Sequence, residues 1–338
     1  MLLFRHIAFL LSALSMSLSA NAQQDITVND KTANPVEEYS ALATVGKRLL
    51  LIPQYPVTNS TYAIATRTID KKAKRREALA EADFTPVVME HLAPLVARIN
   101  HSKHCYEGFE GAVAVGNTIF FSIETDESAD SCYLFKGYLH NNIITLDTLH
   151  LKTLPKIKCR DKVVNNAGYE SLTYDAASRQ LLAVFEYTNA ADVQQTPIAY
   201  LTDTALENTQ PLTPIYINKP IPFRITDICA GKKGTMYGIN FWWAGEYDDY
   251  FACNTTTPLP VKDSAAFTNS NLKASCYGRI LQLQLRNNRL TWQPLQEIGF
   301  DCYNWEGIAP INKKLLIVTD ANKGKYLEKT THFRLFNK

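Results

Sequence analysis

The sequence predicts an all-β fold: a β-propeller of five blades, with six as the alternative, carrying a short helical insertion. Three observations predict it. The body of the chain is rich in short alternating apolar strands. One acidic motif recurs at the head of such strands. Each recurrence leads through a Gly, Asn or Lys turn into a second, strongly apolar strand. A radially repeated fold explains this, because every unit then presents the same position to a common axis. A β-sandwich with long loops is the alternative, and it gives no reason for the recurrence.

Residues 1–22 read as an export signal. Arg5 and His6 form a short polar start, Ile7 to Leu18 is apolar, and Ala20-Asn21-Ala22 supplies small residues for cleavage after Ala22. The apolar run is short for a membrane span of ~20 residues. The expected organisation is therefore a signal peptide, 1–22, and a single propeller domain, 23–338. The expected location is secreted or periplasmic, with no transmembrane segment after cleavage and a monomeric state.

The motif is read first as Phe109-Glu110-Gly111, with Ile119-Phe120-Phe121-Ser122-Ile123 as its second strand. It returns as Tyr169-Glu170-Ser171-Leu172 with Leu181 to Phe185, as Thr226-Asp227-Ile228 with Met236 to Ile239, and as Trp305-Glu306-Gly307 with Leu315 to Val318. A degenerate copy, Tyr39-Ser40-Ala41, precedes Leu49 to Ile52, with Ser40 replacing the acid. The intervals are long for a blade but hold further strands. Arg279–Leu285 and Leu290–Ile298, around Arg286-Asn287-Asn288, read as a hairpin. The last repeat shows three strands, and Asp25 to Val28 is expected to fill its fourth place. That pairing would join the termini and remove an open edge. Thr85 to Ile99 has apolar spacing close to 3.6 and reads as the helical insertion. A sixth blade, if present, would lie between 60 and 105. Residues 245–275 read as a long polar and aromatic loop.

Charge excludes one class of partner. With 35 Lys and Arg against 33 Asp and Glu the formal net charge is +2, which does not suggest a nucleic-acid-binding protein. The local basic run Lys71, Lys72, Lys74, Arg75, Arg76 reads as a solvated face. The seven cysteines contain no C-x-x-C pair, so zinc-ribbon and thioredoxin-type sites are not indicated. Cys253 and Cys276 flank the polar insertion and are the expected disulfide.

A propeller brings its motif acids together at the channel, here Glu110, Glu170, Asp227 and Glu306. Converging carboxylates cannot all ionise without compensation. Ca²⁺, which takes six to eight oxygens, is the candidate cofactor, with those four residues as ligands and Asn166 and Asn304 as neighbouring neutral oxygens. The alternative is that each acid bonds the backbone of the next blade. Arg160 and Arg224 lie near motif starts and are candidate substrate-binding groups, or else inter-blade ion pairs. Trp242, Trp243 and Tyr247 form an aromatic set beside Glu246, Asp248 and Asp249 that suits a glycan or peptide, or else packs between blades. Successive strand residues face opposite ways, so only one of the two Trp can line a groove. His101 and His104 stand before the Glu110 motif as a possible base, or as a solvated pair. No G-x-S-x-G elbow, H-E-x-x-H pair or Gly-rich phosphate loop occurs.

The three Glu motifs, with Leu315-Leu316-Ile317-Val318-Thr319-Asp320 after the last, resemble the signature of phytase-like propellers, the group with esterase-like activity of phytase. They are also similar to SdiA-regulated and strictosidine-synthase-like calcium propellers. The resemblance is clearest over 105–190 and 300–325. It implies calcium and a hydrolase of phosphate or carboxylic esters at the channel mouth, with catalytic residues unassigned. The other class is a non-enzymatic binding propeller for a small molecule, glycan, peptide or envelope partner.

Overall fold

The computed structural model describes residues 23–28, 38–56, 59–101, 105–159, 162–163, 166–187, 196–243, 276–320 and 331–337. The expected signal, His104, Arg160, Cys253 and the insertion with Tyr247 lie outside the described residues.

The first strand is β1 (Gln24–Thr27). A ladder of four follows: β2 (Tyr39–Val45), β3 (Arg48–Pro53), β4 (Ser60–Ala65) and, after helix α1 (Thr66–Arg75), β5 (Phe84–Glu90). Helix α2 (Leu92–Ile99) leads to β6 (Tyr106–Val115), β7 (Thr118–Thr125), β8 (Ser131–His140) and β9 (Ile143–Leu146), with β10 (Lys152–Pro155) paired to the start of β8. A short pair, β11 (Lys158–Cys159) and β12 (Lys162–Val163), precedes β13 (Ser171–Asp175), β14 (Gln180–Val184), β15 (Ala199–Thr202) and β16 (Thr213–Ile217). The next four are β17 (Arg224–Ala230), β18 (Thr235–Trp242), β19 (Tyr277–Arg286) and β20 (Arg289–Gly299). The last are β21 (Asn304–Ile311), β22 (Lys314–Asp320) and β23 (His332–Asn337).

Within each group neighbouring strands pair antiparallel. β1 pairs antiparallel with β23, Gln24 opposite Leu335 and Thr27 opposite His332, so the first strand completes the last ladder. Outer strands β5 and β9, and β16 and β20, meet in parallel. The leading strands β2, β6, β13, β17 and β21 lie side by side in that order, and β21 returns to β2. An all-β chain whose ladders follow one another around an axis is a propeller arrangement.

Local chemistry explains the ladders. The turns after the leading strands need a left-handed residue and have Gly46 (φ 59°), Gly116 (φ 62°), Gly234 (φ 73°) and Asn312 (φ 54°). The expected hairpin at Asn287 (φ 50°) and Asn288 (φ 58°) joins β19 to β20 with the double positive φ of a tight turn. The helical insertion needs correction. Only Leu92–Ile99 is helical; Phe84–Glu90 is a strand, in which Thr85, Val87 and Val88 favour the extended state. The segment 60–105 thus supplies the outer strands of the first ladder and two helices.

Apolar clusters lie between ladders. Ala41, Leu50 and Ile52 pack with Phe109, Phe121 and Phe135, whose rings stack at 4.9–5.5 Å. Leu42, Leu49 and Leu51 pack with Leu316, Val318 and Phe333 across the closure. The expected disulfide also needs correction. Cys276 bonds Cys302, tying the start of β19 to the segment before β21. Cys105, Cys132 and Cys229 are buried thiols. No helix among the described residues is long and apolar enough to cross a membrane.

Candidate functional site at the channel mouth

The site begins with a backbone irregularity. The leading strands slip in register at Ser40, at Glu110-Gly111, at Thr226 and at Glu306. A bulge leaves a residue out of the ladder and re-aims its side chain. Glu170 stands just ahead of β13. The ring position is therefore held by Ser40, Glu110, Glu170, Thr226 and Glu306.

This moves one expected residue. Asp227 pairs with Ile239, as Gly307 pairs with Val318, so it sits one place past the ring. Its two carboxylate oxygens accept the backbone N–H groups of Ile228 (2.7 Å) and, across the ladder junction, Ile308 (2.8 Å). The sequence pattern hid this because Thr226 and Asp227 both fit the motif. The hydroxyl residues in the ring also bond backbone. Ser40 Oγ donates to Phe109 O and Thr226 Oγ1 to Trp305 O, each at 2.6 Å to the next ladder.

The three Glu of the ring face a polar cavity of about 260 Å³. Its wall also has Gln54, Tyr55, Glu124, Asn166, Arg224, Trp243, Asn304 and Asp320. Four residues missed as site groups, Gln54, Glu124, Glu186 and Asp320, stand at the ends of the second strands. Glu124 pairs with Gly108 and Asp320 with Asn304, while the Gln54 N–H donates to Glu38 O at 2.7 Å and the Glu186 N–H to Gly168 O at 3.0 Å. A signal existed: each acid stands one or two residues past the apolar run of the second strand, as Ile123-Glu124, Phe185-Glu186 and Val318-Thr319-Asp320.

Arg224, at the head of β17, sits in the middle of these acids and is buried. Its Nη1 lies 3.2 Å from Glu170 Oε1 and 3.5 Å from Glu186 Oε2. Its Nη2 donates to Asn304 Oδ1 at 2.9 Å and lies 3.4 Å from Glu306 Oε1. It thus bridges the third, fourth and fifth ladders as a buried ion-pair group. Glu110 accepts from Gln54 Nε2 at 2.8 Å. Lys156 donates to the backbone oxygens of Thr125 and Asp126, next to Glu124.

One guanidinium does not balance this set. Burial raises Glu110 well above the usual carboxylate range, helped by Glu124 and Glu306. Burial raises Glu170 likewise, with Glu186 and Glu306 adding to it and Arg224 opposing. Asp320 is raised by burial, then by Glu306 and Glu38. Glu124 is pushed up to about 7 by burial, offset in part by Lys156 and Arg224. Three buried oxygens, Glu124 Oε1, Glu170 Oε2 and Asp320 Oδ1, have no hydrogen-bond partner among the described residues.

The all-oxygen donor set has the chemistry of a hard-cation site. As the side chains stand, however, no three Asp, Glu, His or Cys among the described residues are arranged to hold a metal ion. The acids are grouped around Arg224 instead. Trp242 is buried against Phe223, ring centroids 5.4 Å apart, while Trp243 lines the cavity. His101 is exposed.

No protein-family model matches the chain, and no curated protein matches it. Among solved structures, the RS223 β-xylosidase is similar at 8% identity and TM-score 0.46, covering 90% of this chain and 93% of that one. A GH43_1 enzyme from Xanthomonas citri is similar at 8% identity and TM-score 0.44, covering 88% and 87%. The phage phi92 endosialidase is similar at 7% identity and TM-score 0.45, covering 94% and 69%. At these values the likenesses fix neither activity nor ligand for this chain.

Proposed function

We propose that this chain is an exported, five-bladed, phytase-like propeller over residues 23–338. In this reading it binds a hard divalent cation, calcium by preference, at its acidic channel mouth and hydrolyses phosphate or carboxylic esters there. Each four-stranded ladder counts as one blade, with β1 closing the fifth. One observation carries the functional reading: buried carboxylate oxygens on Glu124, Glu170 and Asp320, without a hydrogen-bond partner among the described residues, at a polar cavity. A buried carboxylate without a partner either takes up a proton or is matched by a bound ligand.

Glu110, Glu170, Glu306 and Asp320, with Asn304, are the residues that would hold the cation, after their side chains rearrange from the present grouping around Arg224. Calcium, when bound, supplies a Lewis acid for a phosphoryl or acyl oxygen. The chain's own groups do the rest. Glu124, pushed to about 7, is poised to give or take a proton at neutral pH, as a general acid–base group must. Arg224 holds Glu170 and Glu306 in place. Trp243 and Tyr55 wall the cavity, whose volume of about 260 Å³ suits one small substituent.

The test is metal content, thermal unfolding with and without EDTA, and turnover of chromogenic phosphate and carboxylic esters. The expected result is one bound Ca²⁺ per chain, a lower melting temperature in EDTA, and turnover abolished by Glu124→Gln. No bound metal together with unchanged melting overturns the cation site. Bound metal without turnover overturns the enzyme and leaves a binding propeller.

A further inference from the structure

The opposite end of the propeller is charged the other way. Every leading strand runs from the acidic mouth to its first turn, so the Gly46-Lys47 and Asn312-Lys313 turns lie at the far end of the channel from Glu110 and Glu306. There a groove of about 810 Å³ opens between these turns and α1. It is lined by Lys47, Arg48, Arg67, Lys71, Lys74 and Arg75, against one acid, Asp70. This local excess exceeds the formal net charge of +2 for the whole chain. The linear run 71–76 shows only part of it, since Lys47, Arg48 and Arg67 join by folding.

Four of the six cations in the groove, Lys47, Arg67, Lys71 and Lys74, are left available. Lys72, on another side of α1, is matched by Glu77 and Asp83, each at 3.6 Å. Arg75 has Glu77 at 3.8 Å. Arg48 is fixed by neutral partners, Asn142 Oδ1 at 2.7 Å and Asn141 O at 3.1 Å, so its charge is oriented but not cancelled. The one acid, Asp70, accepts from Asn312 Nδ2. Lys47, Arg67, Lys71 and Lys74 make no ion pair among the described residues. The floor is also held: Lys47 O accepts both the N–H (2.9 Å) and the hydroxyl (3.2 Å) of Thr66, at the start of α1.

We propose that this groove is a binding site for a soluble oligoanion carrying two or more phosphate groups. Unmatched cations around a concavity recognise a multivalent anion by charge-assisted hydrogen bonds. The volume lies within the range of small-ligand sites. A flat anionic membrane fits less well, because no large exposed apolar side chain among the described residues lines the groove to enter a bilayer.

The probe is inorganic tripolyphosphate, titrated calorimetrically into EDTA-treated full-length protein at low and high salt. Wild type is expected to bind one equivalent, more weakly at high salt. Lys71→Gln/Lys74→Gln, at exposed helix positions, is expected to bind about tenfold more weakly, as the loss of two charge-assisted contacts. The control Lys232→Gln/Lys233→Gln, on the exposed turn between β17 and β18, is expected to bind like wild type, and all three to melt alike. No binding, or equal weakening in both double variants, overturns the proposal. Capture by anionic phospholipid vesicles without tripolyphosphate binding also overturns it, in favour of a membrane surface. None of these outcomes depends on the acidic mouth.

Discussion

Arg224 decides what the acidic mouth can be. Its guanidinium meets Glu170, Glu186 and Glu306 and opposes the burial that raises Glu170. Losing a buried partner of this kind leaves its acids uncompensated, which is far worse than never having paired them. The remaining acids set the pH response. For Glu124 the folded value, about 7, lies above the ordinary carboxylate value of 4.5. Between those values the folded state binds more protons than the unfolded state, so stability falls as pH rises through the window. Glu110, Glu170 and Asp320 shift in the same direction. EDTA-treated protein is therefore expected to melt at a higher temperature at pH 5 than at pH 7.5, and Glu124→Gln to flatten part of that slope. Calorimetric melting across pH measures both. A melting temperature that rises over the same range contradicts the upward shift of these buried acids.

At the scale of the element, the bulge is the device that builds the site. It turns the ring residue out of the ladder and brings the next residue against the neighbouring ladder. Gly111 occupies that second place: a Cβ there would lie 2.6 Å from Glu170 O and 2.8 Å from Ser122 Oγ. Its N–H donates to that same Ser122 Oγ at 2.7 Å. Backbone cannot give way as a flexible side-chain end does. Gly111→Ala is expected to destabilise the protein by about 1–3 kcal/mol, by overpacking at a ladder junction. Urea unfolding reads this as a lower midpoint at unchanged slope. Gly307 makes the same close approach on the fifth ladder, where a Cβ would lie 2.9 Å from Leu42 Cγ. The E-G pair in the motif thus has a packing reason for its glycine and a site reason for its acid.

At the scale of the molecule, closure depends on four residues at the start of the described chain. β1 covers the edge of β23, and Asp25 pairs with Arg334, whose guanidinium also meets Asp301 at 2.9 Å and lies 4.8 Å from the Trp305 ring. On its other side, Thr27 O accepts the Leu79 N–H at 2.8 Å. Deleting residues 23–28 opens a sheet edge and separates the fifth ladder from that segment. A fall in melting temperature of about 5 °C or more is expected, with concentration-dependent association by light scattering. Unchanged melting would mean that closure rests on the leading strands alone. The two ends of the molecule also divide its charge, carboxylates at the mouth and cations at the far groove.

Much of this was legible in the chain. The motif positions 40, 110, 170 and 306, the Asn287-Asn288 hairpin and the partnership of the first and last strands follow from alternation, turn chemistry and recurrence. All of these are local or periodic properties. Folding decided the rest. Asp227 stands one place from the ring because strand register, not sequence pattern, sets which of two adjacent polar residues the bulge ejects. Phe84–Glu90 is extended because β4 and β9 were there to pair with it, against an apolar spacing that fits a helix. Cys276 meets Cys302 because β19 starts beside the segment leading to β21. The sequence by itself determined which residue types recur and at what period. Only the tertiary structure decided which charges meet, because the Arg224 cluster unites residues from three separate ladders and the basic groove sets the Lys47-Arg48 turn against one face of α1, which no local pattern connects.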